Sequence, residues 1–365
     1  MQVSPARIMM RNTSFLSRIT GSMSIDIGID LGTANTLVYV KGKGIVINEP
    51  TIVALNHKTG QLVAVGAEAK GMLGRTPAHI EVVRPLIEGV ISNFEVTEEL
   101  LTYFIARVRE GSRTVIPPRV LIGVPFGITN VEMRAARDAA KNAGAREVLL
   151  IEEPMAAAIG SKLPVSKALG NMIIDIGGGT TDIAVISLSG IVTARNLRIA
   201  GDHLNADIIA YIRSQFKVLI GERTAEELKI ALASASPEGE LHEVVVRGRD
   251  VVTGLPREVV ITNADIRDAI ASAIDSIVEA VRSVLEETPP EVLADIMQRG
   301  IYFSGGGALI PGAARLLEEL IGVPVVTVPD PLRAVIRGTG IVLENLNDYA
   351  DILIENEDQL APQFT

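Results

Sequence analysis

Apolar and polar positions alternate in short blocks along most of the chain. From Ile25, "IDIGID" reads as a strand, "LGTANT" as a turn and "LVYV" as the returning strand. "TIVAL" and "LVAV" flank "NHKTGQ", which predicts a hairpin. Thr97 is expected to open a helix through "EELLTYFIARVRE". "RVLIGVP" predicts a buried strand ending at Pro125, which has no N–H to continue a ladder. "NVEMRAARDAAKNAG" has helical spacing and closes on Gly144, and "EVLLIEE" is another buried strand, stopped by Pro154.

The second half repeats the theme. "NMIIDIGGGTTDIAVISL" sets two apolar strands on either side of a glycine-threonine loop. Thr224 and Glu227 stand in capping-box spacing at the head of the helix "GERTAEELKIALASA". "ELHEVVVRGRDVVTGLPREVVIT" reads as antiparallel strands. Ile266, Ile270, Ile274, Ile277, Val281 and Leu285 mark one face of a long amphipathic helix that breaks at Pro289 and Pro290. "GIYFSGGGALIPG" is a strand entering a glycine turn, and the acidic tail from Asn345 is expected to be partly loose. Strands alternating with helices predict an α/β fold with largely buried sheets.

Composition sharpens this picture. The 365 residues suffice for two domains, and 47% are hydrophobic while only 3% are aromatic, so aliphatic side chains must fill the core. A net charge of -10 argues against electrostatic wrapping of nucleic acid. The absence of cysteine excludes disulfides and thiolate chemistry, and His57, His79, His203 and His242 lack metal-ligand spacing. No apolar run approaches a membrane span and the N-terminus lacks a secretory segment, so a cytoplasmic protein is expected.

The chemistry concentrates in two loops that share one plan: apolar strand, Asp, apolar residue, Gly, a Gly/Thr turn, apolar strand. Asp30 and Asp175 hold equivalent places 175 − 30 = 145 residues apart. Either two related domains each present one loop, or these are ordinary hairpin turns. Glycine lets successive N–H groups point at one spot, and such a concavity binds phosphate. Asp30, Asp175 and Asp182 would repel phosphate, and neither loop has Lys or Arg. Mg²⁺ resolves that conflict by bridging carboxylates to phosphates, so paired loops clamping Mg-nucleotide are predicted. No G-x-x-x-x-G-K-[ST] is present, and Ile310 replaces the third glycine of a dinucleotide fingerprint after Gly305 and Gly307. Glu153 stands where a strand meets a helix start at Pro154; it either orients a water attacking a γ-phosphate or is a surface partner of the helix dipole, and Glu152 is the weaker candidate.

"DLGT", "DIGGGTTD", "EEPMAAA" and "SGGGALIPG" follow the order found in the actin-like ATPases, a superfamily of actin, heat-shock chaperone ATPases and sugar kinases. "IDLGTANTLVYVKGKGIVINEP", "IEEPMAAAIG", "GERTAEE", "VTGLPR", "TPPEVLADIM" and "RGTG" resemble the bacterial actins of the MreB family, over about residues 24 to 347. The resemblance implies an actin-like ATPase fold: two related α/β domains, in four subdomains, around a central nucleotide cleft. The implied divisions are a leader, 1–24; IA, 25–54, 88–167 and 337–350; IB, 55–87; IIA, 168–203 and 268–336; IIB, 204–267; and an acidic tail, 351–365. It implies ATP and Mg²⁺, with Asp30 and Asp175 at the hydrated metal and Asp182 there through water. Gly32, Thr33, Ala34 and Asn35 would surround the phosphates together with Gly177, Gly178, Gly179 and Thr180. Glu153 and Asp175 would be catalytic, and Gly305, Gly306, Gly307, Glu222 and Lys229 would frame the adenosine. Asp182 departs from the Glu of many relatives.

Membrane-bound filaments that help organise cell-wall synthesis and rod shape are the function this implies, with self, the cytoplasmic membrane face and shape-determining membrane proteins as partners. In the leader, Phe15, Leu16 and Ile19 share one helical side beside Arg11 and Arg18. Burying three such side chains yields about 4–8 kcal/mol before ordering costs, a weak anchor that a filament would multiply. The other reading is an unstructured start of chain. Val115 and Ile116 are either a second apolar membrane contact or a packed loop. A small-molecule kinase is the alternative function, and a chaperone ATPase would need a substrate domain beyond "RGTGIVLENL".

Overall fold

A computed structural model describes residues 24–110, 116–236 and 240–354. The first half begins with β1 (Ser24–Leu31), β2 (Asn35–Val40) and β3 (Gly44–Pro50). A small unit follows: β4 (Val53–Asn56), β5 (Gln61–Val65), α1 (Ala67–Met72) and β6 (Ile80–Val83). The hairpin β7 (Leu86–Ile87) and β8 (Val90–Ile91) leads into α2 (Phe94–Arg109), β9 (Ile116–Val124), α3 (Asn130–Asn142), β10 (Glu147–Glu152) and α4 (Glu153–Gly160).

The second half runs β11 (Asn171–Ile176), β12 (Thr181–Ser187), β13 (Gly190–Leu197), α5 (Gly201–Gln215), β14 (Val218–Leu219) and α6 (Glu222–Leu232). Then come β15 (Glu243–Asp250), β16 (Pro256–Thr262), α7 (Asn263–Glu287), α8 (Pro290–Arg299), β17 (Ile301–Gly305), α9 (Ala313–Ile321), β18 (Val325–Thr327) and α10 (Ala334–Glu344).

Two five-stranded sheets follow one path twice, ordered β10-β9-β1-β2-β3 and β18-β17-β11-β12-β13. In each, the Asp-bearing strand pairs antiparallel with the next strand and parallel with a later one. The repeated loop plan is therefore a repeated fold, with Asp30 and Asp175 on equivalent strands. Every residue of β11 is buried, as a strand with helices on both faces requires.

α4 and α10 lie between the sheets. Their apolar faces join Leu121 and Ile151 of the first sheet to Ile173 and Ala184 of the second in one core. The two helices approach so closely that a Cβ on Gly160 would overlap the Ala334 carbonyl, and one on Gly338 the Ala156 carbonyl.

Some local expectations are corrected. α2 opens at Phe94, capped by Asn93 Oδ1 accepting from Val96 N–H at 3.1 Å, and Thr97 lies inside the helix donating to Asn93 O. α6 opens at Glu222 with no side-chain cap, so Thr224 and Glu227 form no capping box; Glu227 pairs with Arg223 at 2.9 Å instead. Boxes do close at Thr129/Glu132 and Thr262/Asp265. The chain past Asn345 is anchored as far as Ile354, whose N–H donates to Leu150 O at 2.9 Å. Ile116 is a partly buried residue of β9 beside Ser24 rather than a loop residue. Phe15, Leu16, Ile19 and Val115 lie outside the described residues. No described helix is long and apolar enough to cross a membrane.

Candidate functional site

The two glycine loops meet. The first, between β1 and β2, is pinned by Thr51, whose Oγ1 donates to Gly32 O at 2.6 Å and whose N–H donates to Ala34 O at 3.0 Å. The second closes with Gly177 N–H on Thr180 O at 2.9 Å, and the start of α5 braces it through Gly201 N–H to Gly177 O and Asp202 N–H to Gly178 O. A Cβ on Gly178 would stand 2.6 Å from Ala34 Cβ, and one on Gly179 would strike Thr33 Oγ1. Glycine is thus required at both positions for the loops to approach. Among the described residues, the Gly178 and Gly179 N–H groups donate to nothing within the chain.

A third element, which the apolar pattern of the sequence does not announce, joins the loops here. The β7–β8 turn places Glu88 and Gly89 at φ 51° and 77°, a type I′ hairpin. Gly89 N–H donates to Thr33 Oγ1 at 2.9 Å, and a Cβ on Gly89 would lie 2.8 Å from Thr180 Cγ2. The hairpin tip therefore touches both loops. "IEGV" was its only signal, and two-residue strands leave no readable alternation.

Carboxylates crowd behind the loops. Glu153 is buried and begins α4 over β9, where a Cβ on Gly123 would lie 3.4 Å from Glu153 Cγ, so the surface-dipole reading falls. Burial, then the charges of Asp182, Asp30 and Asp175, hold its carboxyl well above the ordinary range. Burial pushes Asp175 up to about 6, opposed by the Ser304 hydroxyl donating to its Oδ1 at 2.7 Å. Asp30 is raised by burial and by Asp175. Glu152 rises to about 7 through burial and Asp182. Asp182 is raised by burial, although Asn196 and Phe126 donate to it. Among the described residues, no ion pair involves Asp30, Glu153, Asp175 or Asp182, and no three acids stand close enough to hold a metal unaided.

Gly305, which ends β17, and Gly307, in the turn after it, press on Ile176, the last residue of β11 before the second loop, whereas a Cβ on Gly306 between them would meet nothing nearer than 3.7 Å. Gly305 has φ 79°, and a Cβ there would strike Ile176 O, while one on Gly307 would stand 2.5 Å from Ile176 Cβ. Lys229 on α6 donates to Gly201 O at 2.8 Å and pairs with Glu226 at 2.8 Å, which puts it beside the second loop. Glu222 pairs with Arg84, which also reaches Asp202 at 3.5 Å; these bridges cross from the first half to the second and were not foreseen. Arg198 likewise reaches Glu88 at 2.9 Å.

The model of the MreB/Mbl protein family matches residues 24–351. The chain belongs to the MreB/Mbl family. It is 49% identical over 346 residues to the cell shape-determining protein MreB of Escherichia coli strain K12, spanning 94% of this chain and all of that one. It is 48% identical over 322 residues to the cell shape-determining protein Mbl of Bacillus subtilis strain 168, spanning 88% and 96%. Among solved structures, MreB5 of Spiroplasma citri bound to ADP superposes with a TM-score of 0.85 at 39% identity, covering 90% of this chain and 98% of that one, as does its AMPPNP complex. The fold is that of the actin-like ATPases, as expected of an MreB/Mbl chain.

Proposed function

We propose that this chain is a polymerisation-coupled ATP hydrolase that assembles into actin-like filaments at the cytoplasmic face of the membrane and helps organise cell-wall synthesis and rod shape. The observation that carries the reading is the meeting of two duplicated glycine loops, with Glu153 brought from the first half and Asp175 from the second. The ADP and AMPPNP complexes of the Spiroplasma citri relative support a nucleotide in this cleft. The names of the MreB and Mbl relatives support the cell-shape role. For the membrane and shape-determining partners, support comes from the leader pattern and the family resemblance.

The residues fit Mg-nucleotide. Gly178 and Gly179, whose N–H groups have no partner among the described residues, stand against Ala34 and Thr33 of the first loop, and among the described residues no ion pair involves the acids behind them. Asp30 and Asp175 would take waters of Mg²⁺, which when bound supplies the positive charge between carboxylates and phosphates. The loop N–H groups orient phosphate oxygens, and the hairpin tip at Gly89 fixes Thr33 against the second loop. Glu153, with its raised proton affinity, orients a water and accepts its proton.

Phosphate release per monomer in Mg-ATP, measured across protein concentrations, tests this. A rate that climbs above a threshold concentration is expected, and Glu153→Ala should keep nucleotide affinity while lowering release about 100-fold. A flat rate per monomer, or ADP formed only with an added small-molecule acceptor and without free phosphate, would replace the filament with a kinase.

A further inference from the structure

Asp182 is almost fully enclosed, at 1% exposure, and one of its oxygens is already engaged. Oδ1 accepts from Phe126 N–H at 3.1 Å and from Asn196 Nδ2 at 2.9 Å. Asn196 is its cross-strand neighbour on β13, within the second sheet. Phe126 belongs to the first half, in the turn between β9 and α3. The carboxylate therefore joins the two halves.

The place of that junction matters. β9 and β10 run parallel with Val124 opposite Glu152. Phe126 lies two residues past Val124, and Glu153 one past Glu152, so both leave the same end of the same strand pair. On the other side, Asp182 stands opposite Asp175 in the β11–β12 register. A bond from Asp182 to the Phe126 amide thus locks the strand end carrying Glu153 to the strand bearing the second glycine loop. We propose that Asp182 is a positioning residue, a strut between the two halves that sets Glu153 against the phosphate loop, rather than a member of the metal site. Its work requires a short side chain ending in a hydrogen-bond acceptor. A ligand of a metal's water shell would instead depend on its negative charge, which Asp182→Asn removes.

This inference rests on the ATPase reading above. The test uses the full chain as wild type, Asp182→Ala and Asp182→Asn. It compares phosphate-release kcat, affinity for a fluorescent ADP analogue, Mg²⁺ half-saturation and hydrogen exchange of the Phe126 amide. Asp182→Ala should lower kcat about 10- to 100-fold through misplacement of Glu153, with nucleotide affinity and Mg²⁺ half-saturation unchanged and Phe126 exchanging faster. Asp182→Asn keeps an acceptor oxygen at Oδ1 and should recover most of that loss. Should Asp182→Ala fail to fold, Asn196→Ala takes its place, since it frees the carboxylate from its β13 anchor. Asp182→Asn as slow as Asp182→Ala, with a raised Mg²⁺ half-saturation, would return Asp182 to the metal. Wild-type kcat in Asp182→Ala would also overturn the strut. A wild-type protein releasing no phosphate would instead sink the ATPase reading, and Phe126 exchange in the ADP-bound variants would still decide the strut.

Discussion

Glu152 shows how the acidic cluster taxes the free protein. It precedes α4 without making a side-chain cap bond, and burial beside Asp182 lifts its carboxyl from 4.5 to about 7. Between those values the folded chain holds the proton and the unfolded chain does not. Glu152 therefore favours folding fully below about pH 4.5, and that contribution is lost as pH rises through 7. Glu152→Gln removes the ionisation. It should match wild type near pH 4.5 and exceed it at pH 8 by on the order of 1–2 kcal/mol, after a discount for partial exposure. Denaturant midpoints at the two pH values check this, and an equal difference at both would contradict it. The acids at this site were readable in the sequence because each interrupts an apolar strand. The backbone amide that Asp182 holds was not, since an N–H looks the same behind every side chain.

Among the helices, α4 and α10 decide the geometry, and their crossing depends on glycine rather than on side-chain fit. Gly338→Ala would improve helix propensity by about 1 kcal/mol in isolation. Here its Cβ would overlap the Ala156 carbonyl and approach Gly160 N at 2.9 Å, and neither backbone can yield without parting the helices. We expect a net loss of about 3 kcal/mol, read as a lowered denaturant midpoint. Gly71→Ala on α1, where a Cβ meets nothing within 4 Å, should instead be neutral or stabilising. An unaltered midpoint for Gly338→Ala would mean the crossing is looser than it stands. Most elements were legible because long strands and helices carry strong periodicity: β11, β12 and α7 followed their apolar patterns. The failures were local contests over helix starts, where Asn93 outranked Thr97 and α6 began ahead of Thr224. The β7–β8 hairpin was too short to leave a pattern, although it ends on both glycine loops.

At the scale of the whole molecule, the duplicated sheets form two walls, and surface ion pairs cross between the halves that carry them. Arg84, in the link between β6 and β7, reaches Glu222 on α6 and Asp202 on α5, and Arg198 reaches Glu88. Glu226, beside them on α6, feels Lys70 of α1 as well as Lys229. Cations of the small β4–β6 unit thus face acids of the second half. Such pairs span more than a hundred residues of sequence, which is why no local pattern announced them. Each is partly exposed, so each contributes about 0–1 kcal/mol. Arg84 serves two acids at once, so its removal takes away two links between the halves together. Arg84→Ala should therefore favour the open cleft and speed release of a fluorescent ADP analogue roughly 3- to 10-fold, the equivalent of about 0.6–1.4 kcal/mol. Salt offers an independent check, because screening at about 0.5–1 M should speed release from wild type more than from Arg84→Ala, which of these retains only the Arg198–Glu88 pair and the Lys70–Glu226 attraction. If release from both proteins is equally fast and equally indifferent to salt, the cleft is held by its loops and the α4–α10 crossing, and the bridges are ornaments of its surface.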